Sequence, residues 1–342
     1  MNKEEMHEVK YTFLDYDRDR IVGELGKEVL LDLLRRMVAI RQFEVRAESA
    51  YQQGKIGGFF HAYMGQEAIQ TGAVAAIGVG PNWWATTYRC HALAYLTGAT
   101  LNDMMAELYG KRTGNARGRG GSMHLYSDRL LGGFGIVGGH VPVATGAAFS
   151  LKYRKQKGVA VCFFGDGAVA QGAVHESLNL AALWDLPAIY VIENNRWGMG
   201  TAVGRAICVQ PIAENMAKGY GIPSYTFDGM DVLACYAGFH KVREEVLRTG
   251  RPVLIEAVTE RFRGHSISDP ASYRSKEELS EVKAQDPILH LQELLKEVKV
   301  AGDEEFREIN RCVKQEVLAS MEFAEQSPFA EPDVLEEGVF AP

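Results

Sequence analysis

The chain has 342 residues, of which 46% are apolar, a content that is ordinary for a globular protein with a sizeable core. Length alone allows two domains or one large α/β domain with appendages. A formal net charge of -7 argues against nucleic acid as the main partner. The charges are interspersed and no apolar run reaches the ~20 residues that a membrane-spanning helix needs, so we expect no membrane partner either.

The first residues are polar and acidic, and they resemble neither a secretory signal nor an arginine-rich transit peptide. The chain contains five cysteines, none of them in a Cys-x-x-Cys pair. This scattered pattern argues against disulfides and against a zinc site. The sequence therefore predicts a reduced, cytoplasmic protein of the bacterial type.

In the first third of the chain, the apolar pattern predicts a helical region behind a terminal arm. Residues 1–25 are expected to form a loosely held arm, and an amphipathic helix is predicted over 27–53. The elements predicted next are a helix at 66–76, a strand at 83–89, and helices at 91–96 and 101–109. A glycine-dense stretch follows at 114–139 and has no periodicity of its own, which is typical of a functional or disordered segment.

Two apolar runs in the middle of the chain predict buried strands of a parallel sheet. A helix at 141–153 precedes the first run, 159–164, which leads directly into Gly165-Asp166-Gly167. A helix over 168–184 connects it to the second run, 188–192, which leads into Asn194-Asn195. Asp166 and Asn195 are thus expected at the carboxyl ends of neighbouring parallel strands, where open α/β sheets bind ligands. A carboxylate and an amide oxygen there suit octahedral Mg²⁺ carrying a diphosphate.

The last third of the chain continues the α/β alternation and then becomes helical. The predicted elements are a helix at 211–217, a strand at 225–231, a helix at 232–248, a strand at 251–259 and a polar loop at 261–274. We predict one α/β domain over residues 1–342, with a mostly parallel sheet flanked by helices. The arm at 1–25 and a helical C-terminal tail at 276–342 are expected to pack on it.

The two motifs, with their flanks at Gly165–Trp184 and Asn194–Thr201, closely resemble a known family. It is the alpha subunit of the thiamine-diphosphate-dependent first component of 2-oxo acid dehydrogenase complexes, in particular the pyruvate branch. The resemblance extends from about Leu30 to Leu318. It implies a thiamine-diphosphate-binding fold and an oxidoreductase with thiamine diphosphate and Mg²⁺ as cofactors.

The resemblance also implies which residues hold the phosphate end of the cofactor. Asp166 and Asn195 are expected to ligate Mg²⁺ together with the backbone carbonyl of Trp197, where the family more often has tyrosine. Backbone amides of Gly167 and Ala168 are implied to bind the diphosphate, as expected where a helix begins. From the opposite side, the side chains implied to bind it are Tyr88 and Arg89.

Further positions follow from the same resemblance. The Gly135 carbonyl is implied to accept a hydrogen bond from the aminopyrimidine, Val137 to wedge between the two rings of the bent cofactor, and Ser127 to line the same cavity. His61 and His265 are the implied catalytic residues, since a histidine can donate to phosphate or to a developing oxyanion.

Ser266 and Ser272 resemble regulatory phosphorylation sites of mitochondrial relatives. One residue fewer separates them here, and regulation of this chain remains a hypothesis. A phosphate on either serine would repel the diphosphate of the cofactor and disorder the loop.

The implied reaction is the oxidative decarboxylation of pyruvate, followed by transfer of the acetyl unit to lipoyl groups for acetyl-CoA synthesis. The implied partners are a beta subunit, in an α₂β₂ heterotetramer, and the lipoyl domains and core of dihydrolipoyl acetyltransferase. No glutamate stands in a motif that would activate the pyrimidine, and no second α/β domain is evident. We therefore expect the chain to be inactive without its beta subunit.

Other functions are less consistent with the sequence. Acetoin and branched-chain 2-oxo acid dehydrogenase alpha subunits are close, but Arg196–Thr201 favours pyruvate. A nicotinamide-dependent oxidoreductase requires a G-x-G-x-x-G turn between a strand and a helix, and Arg117–Gly121 precedes no such unit. A non-catalytic scaffold is disfavoured because all four key residues are present, namely Asp166, Asn195, Arg89 and His265.

Overall fold

A computed structural model describes residues 9–275, 278, 282 and 284–340 of the chain. Its helices are α1 (Arg18–Gln52), α2 (Glu67–Ile77), α3 (His91–Leu96), α4 (Leu101–Leu108), α5 (Val141–Tyr153), α6 (Gly172–Leu183), α7 (Val203–Ala206), α8 (Ile212–Tyr220), α9 (Val232–Thr249), α10 (Pro287–Glu297) and α11 (Asp303–Gln326). Its strands are β1 (Trp83–Thr87), β2 (Leu130–Phe134), β3 (Ala160–Gly165), β4 (Ala188–Asn194), β5 (Trp197–Gly198), β6 (Thr201–Ala202), β7 (Ser224–Asp228) and β8 (Val253–Val258).

Six of the strands form one parallel sheet in the order β2-β1-β3-β4-β8-β7. The predicted α/β fold with a parallel sheet flanked by helices is thereby confirmed. After β1 the chain first adds β2 on one side and then returns to add β3 on the other. The strand order therefore reverses between β1 and β3, and such a reversal opens a crevice at the carboxyl ends of the strands.

Successive residues of β3 face opposite sides of the sheet, and both sides are covered. Val161 and Phe163 belong to the core that α1, α2 and α9 form. Cys162 and Phe164 belong to a second core beneath α5, α6 and α8. Burial on both faces explains why this strand is a continuous apolar run rather than an alternating one.

Helix α1 begins earlier than the sequence indicates. It starts at Arg18, because the Asp17 side chain accepts a hydrogen bond from the Arg20 amide at 3.0 Å and caps it. A kink at Gly26, where φ is 67°, separates this first part from the amphipathic part that was predicted. The arm of irregular backbone within the described residues is consequently restricted to 9–17.

Strand β2 was not predicted from the glycine-dense stretch. Gly132 and Gly133 weaken the strand pattern, yet Gly133 is required by close packing. A Cβ at this position would lie 2.4 Å from the Met123 carbonyl oxygen and 2.6 Å from Cys90 Sγ. The close approach of another backbone, which local sequence does not encode, accounts for the missed element.

Two further boundaries differ from the prediction. Helix α6 begins at Gly172 rather than 168, because residues 166–168 form a separate 3₁₀ turn at the end of β3. The C-terminal tail is divided into α10 and α11, with a break at 298–302. Parts of the predicted tail and arm lie outside the described residues, namely 276–277, 279–281, 283 and 341–342 of the tail and 1–8 of the arm. In the described part of the chain, no helix combines the length and the apolar character that crossing a bilayer would require.

Candidate active site

A cavity of about 1000 Å³ lies where the sheet order reverses. The segments that form it directly follow β1, β2, β3, β4 and β8, so five strands aim their carboxyl ends at one space. The predicted site residues that line it are His61, Tyr88, Arg89, Gly135, Val137, Asp166, Gly167, Ala168, Asn195, Trp197 and His265. Residues far apart in the chain are thus brought together.

Asp166 presents a buried carboxylate to this cavity. The residue is 2% exposed, and its Oδ2 atom has no hydrogen-bond partner among the described residues. Burial raises the pKa of Asp166 to about 6, although backbone amides of Asp166 and Asn195 and the charge of Arg261 oppose this shift. A buried carboxylate oxygen without a partner is costly unless a cation or donor binds there.

Asn195 lies beside Asp166 because β3 and β4 pair in register, with Gly165 opposite Glu193. Its Oδ1 atom accepts hydrogen bonds from the Trp197 amide at 3.2 Å and from Arg261 Nη1 at 3.3 Å. These two donors fix the amide oxygen at the cavity wall. Trp197 follows in the short strand β5, and its ring packs on Tyr273 at 5.0 Å between centroids.

Two buried guanidinium groups supply positive charge to the same wall. Arg89 donates to the carbonyls of Ala62, at 2.8 Å, and His265. Arg261 is 2% exposed and donates to the Arg263 carbonyl at 3.0 Å. Burial, followed by the charge of Arg261, lowers the pKa of Arg89 to about 10. Both groups bond to neutral oxygens here, so a bound anion would relieve their mutual repulsion.

The residues present therefore fit a metal-bound diphosphate. The Asp166 carboxylate offers a hard oxygen ligand with a free position. Arg89 and Arg261 offer charge-assisted hydrogen bonds to phosphate. Gly167 and Ala168, in the 3₁₀ turn at 166–168, place backbone amides at the same end of the cavity.

Two histidines and a tyrosine form an aromatic cluster in the cavity. The His61 ring lies 4.4 Å from the Tyr88 ring and 5.1 Å from the His265 ring. Burial, then the charge of Arg89, lowers the pKa of His61 to about 3 and that of His265 to about 4. Both imidazoles are therefore neutral near pH 7, and His61 Nδ1 is buried without a partner in the described chain.

Ser127 does not line the cavity, in contrast to its expected position. Its hydroxyl lies 2.7 Å from the Thr97 hydroxyl, at the end of α3. The segment between it and Gly135 is strand β2, which carries Ser127 away from the carboxyl end of the sheet. Of the two candidate phosphorylation sites, Ser266 lines the cavity, whereas Ser272 is exposed outside it.

Four buried polar residues of the cavity were missed, namely Gln66, His140, Glu193 and Arg261. Glu193 accepts hydrogen bonds from the Tyr63 hydroxyl and from Gln70 Nε2 at 3.1 Å, and burial raises its pKa to about 7. His140 lies at the start of α5 and bonds the Phe163 carbonyl at 2.7 Å. Arg261 follows β8. The available signal was a charged residue close behind an apolar run: Glu193 directly follows the run at 188–192, and Arg261 comes shortly after β8.

The other end of the cavity is open. Gly135 and Val137 lie on the loop that follows β2, and Val137 is 41% exposed. Neighbouring apolar residues are more exposed still, with Phe59 at 65%, Ile136 at 77% and Met199 at 61%. These four apolar residues, Phe59, Ile136, Val137 and Met199, all line the cavity, and we call them the apolar rim.

Comparison with known proteins places this site in context. Residues 35–333 match the family model described as the dehydrogenase E1 component. The chain belongs to this family. Its members depend on thiamine diphosphate, which agrees with a cavity built to hold a diphosphate.

Several curated relatives are similar over most of their length. The pyruvate dehydrogenase E1 component subunit alpha of Rhizobium meliloti is 43% identical over 92% of this chain and 90% of its own. The subunit of the same name from Rickettsia typhi is 40% identical over 90% of this chain and 95% of its own. The mitochondrial type I subunit from Ascaris suum is 42% identical over 87% of this chain and 75% of its own. The similarity therefore includes every strand of the main sheet.

Proposed function

We propose that the chain is the alpha subunit of a pyruvate dehydrogenase, the component that decarboxylates pyruvate and passes the acetyl unit to lipoyl groups. The observation that carries this proposal is the buried Asp166 carboxylate, whose Oδ2 atom has no partner among the described residues, in the same cavity as Arg89 and Arg261. Together they form a site for a metal-bound diphosphate in a chain whose relatives carry that name. The nicotinamide alternative has no support, since a 3₁₀ turn at Gly121–Met123, not an α-helix, follows Arg117–Gly121.

In this proposal the chain provides the binding end of the cofactor site. Asp166, the Asn195 amide oxygen and the Trp197 carbonyl would hold Mg²⁺, with Arg89 and Arg261 neutralising the diphosphate. When bound, thiamine diphosphate supplies a nucleophilic thiazolium carbon and an electron sink for decarboxylation. The Gly135 carbonyl and Val137 would support the bent cofactor.

The neutral histidines would act on the substrate. His61 Nδ1 is buried at the cavity wall and has no hydrogen-bond partner among the described residues, so a polar group of the substrate or cofactor would supply the missing hydrogen bond. His265 is fixed by its amide, which donates to Asp269 Oδ2 at 2.6 Å, and by Arg89. A neutral imidazole held in this way can donate a hydrogen bond to a developing oxyanion without a proton being taken from solvent.

A beta subunit would complete the site. The apolar rim leaves large side chains in solvent around a cavity that the chain does not close, and such patches mark interaction surfaces. Helix α5, which directly follows the rim loop, continues this surface with Val143, Phe149 and Tyr153, exposed by 43%, 45% and 78%. We infer an α₂β₂ assembly that delivers acetyl units to the lipoyl domains of dihydrolipoyl acetyltransferase.

The proposal is tested by co-expressing the chain with its beta subunit. Calorimetry should show Mg²⁺-dependent binding of thiamine diphosphate, and turnover should be fastest with pyruvate among pyruvate, a branched-chain 2-oxo acid and acetoin. The chain without the beta subunit should not turn over. Full activity of the single chain would refute the two-subunit proposal, and preference for another substrate would refute the pyruvate assignment.

A further inference from the structure

The N-terminal arm at 9–17 is attached to the rest of the chain at three points, two on the sheet and one at the start of α9. The Leu14 amide donates to the Thr226 carbonyl on the edge strand β7 at 2.8 Å. The Tyr16 hydroxyl donates to Asp231 Oδ2 at 2.6 Å. Closer to the N-terminus, the Tyr11 hydroxyl accepts a hydrogen bond from Asn194 Nδ2 at 3.2 Å. The arm thus crosses from the sheet edge to the end of β4, behind Asn195.

Asn194 is fully buried, and each of its side-chain hydrogen bonds joins it to a different segment of the chain. Its Nδ2 group donates one hydrogen to Glu256 Oε1 on β8, at 2.7 Å, and the other to the Tyr11 hydroxyl. Its Oδ1 atom accepts from the Arg196 amide at 3.0 Å. Glu256 is itself fixed, because its Oε2 atom accepts from the Ala213 amide at 2.9 Å.

The Asn194–Arg196 bond matters because the turn that it closes is conformationally disfavoured. Arg196 has a φ of 66°, in the left-handed region that non-glycine residues rarely adopt. This turn sets the direction of Asn195 on one side and of Trp197 on the other. Both are residues that would hold the metal, so the position of the Asn194 amide determines the shape of the site.

We propose that Tyr11 is a positioning residue for the metal and diphosphate site, acting through Asn194 on the turn at 194–197. The inference rests on the proposed function for the identity of the ligand. Without the Tyr11 hydroxyl, one buried N–H of Asn194 loses its partner, and the amide is free to rotate away from Arg196. Burial, followed by the charge of Glu256, raises the pKa of Tyr11 to about 12, so the hydroxyl keeps its proton at neutral pH.

Tyr11→Phe in the full chain, co-purified with the beta subunit, tests this proposal. Amide hydrogen exchange of residues 195–200, measured without cofactor, should become roughly threefold faster or more. The dissociation constant for thiamine diphosphate with Mg²⁺ should rise roughly three- to tenfold, as for the loss of one buried hydrogen bond. The kcat at saturating cofactor should remain within about twofold, because a positioning contact acts on the binding step.

Tyr16→Phe is the matched control, since it removes the same atom from the same arm at a contact with Asp231 instead of Asn194. It should leave both exchange at 195–200 and cofactor affinity unchanged. Equal values for the two variants would overturn the role of Tyr11. Failure of the parent complex to bind thiamine diphosphate would instead refute the proposed function, and the cofactor-free exchange measurement would still decide the contact between Tyr11 and the turn.

Discussion

The two ends of the cavity differ in how much of the wall this chain completes by itself. At the ends of β3 and β4, Asp166 and Asn195 are buried, and the groups around them are hydrogen-bonded to backbone and side chains. At the end of β2, Ile136 and Val137 are exposed apolar side chains. A pre-organised polar end and an uncovered apolar end indicate that binding and assembly are separate tasks, and each can be disturbed without the other.

The largest effect is expected at the polar end. Asp166→Ala should weaken Mg²⁺-dependent binding of thiamine diphosphate by a factor of about 100 or more, since it removes the proposed charged ligand of the metal. Calorimetry on the complex with the beta subunit measures this affinity. Asp103→Ala, at a residue in the first turn of α4 outside the cavity lining, is the control; unchanged affinity in Asp166→Ala would exclude the metal assignment.

A smaller loss is expected from the positive wall. Arg261→Met keeps much of the side-chain volume but removes a buried charge, and should raise the dissociation constant for thiamine diphosphate by a factor of about 10 to 100. Arg263→Met, two residues on and exposed, should have little effect. If the two variants bind equally, Arg261 does not contact the diphosphate.

A substitution in the apolar rim should affect assembly with the beta subunit instead. Ile136→Asp places a charge on a side chain that is 77% exposed, so the fold of the isolated chain should be unaffected. Affinity for the beta subunit should fall by a factor of about 10 or more, because an unpaired charge would be buried in the interface. Leu289→Asp, on α10 and 50% exposed, is the matched control. Sedimentation analysis that shows equal assembly of both variants would argue against a partner at the rim.

The smallest effect concerns acid stability. The pKa of His61 in the folded chain is about 3 and lies below its unfolded value, so protonation favours unfolding. The contribution of neutral His61 to the free energy of unfolding is fully present above pH 6.5 and should be lost as the pH falls toward 3. His61→Gln should reduce this acid-dependent loss by about 1–2 kcal/mol between pH 7 and pH 5. Urea unfolding of the isolated chain at pH 7 and pH 5 measures it; identical pH dependence in both proteins would contradict a neutral, buried His61.

The polar end could be predicted from sequence because its residues directly follow buried strands. Asp166 and Asn195 come at the ends of apolar runs, and parallel pairing then brings them together. Gly133 and Arg196 could not be assigned in the same way. The need for glycine at 133 comes from the backbone of Met123, and the left-handed turn at 196 is held by Asn194 and, through it, by the arm. Contacts between distant segments decide both positions.

Ser127 shows the limit of carrying a residue over by resemblance. Its neighbour Gly135 lines the cavity, but an intervening strand separates the two positions along the sheet. That strand was not predicted, because the glycines at 132 and 133 weaken the strand pattern. A site residue can therefore be assigned with most certainty where its element is also predicted.

The position of β8 in the sheet has a consequence for how the protein is made. Among the described residues β8 is the last strand along the chain, yet it lies between β4 and β7, and Arg261 lies shortly after its end at Val258. During synthesis, the first 250 residues can bury much of their apolar surface but cannot form the complete cofactor site. Insertion of this late strand, a long-range pairing of the kind that folds slowly, creates the site and closes the sheet in one step. Acquisition of cofactor affinity would thus report that a newly made chain has completed its sheet.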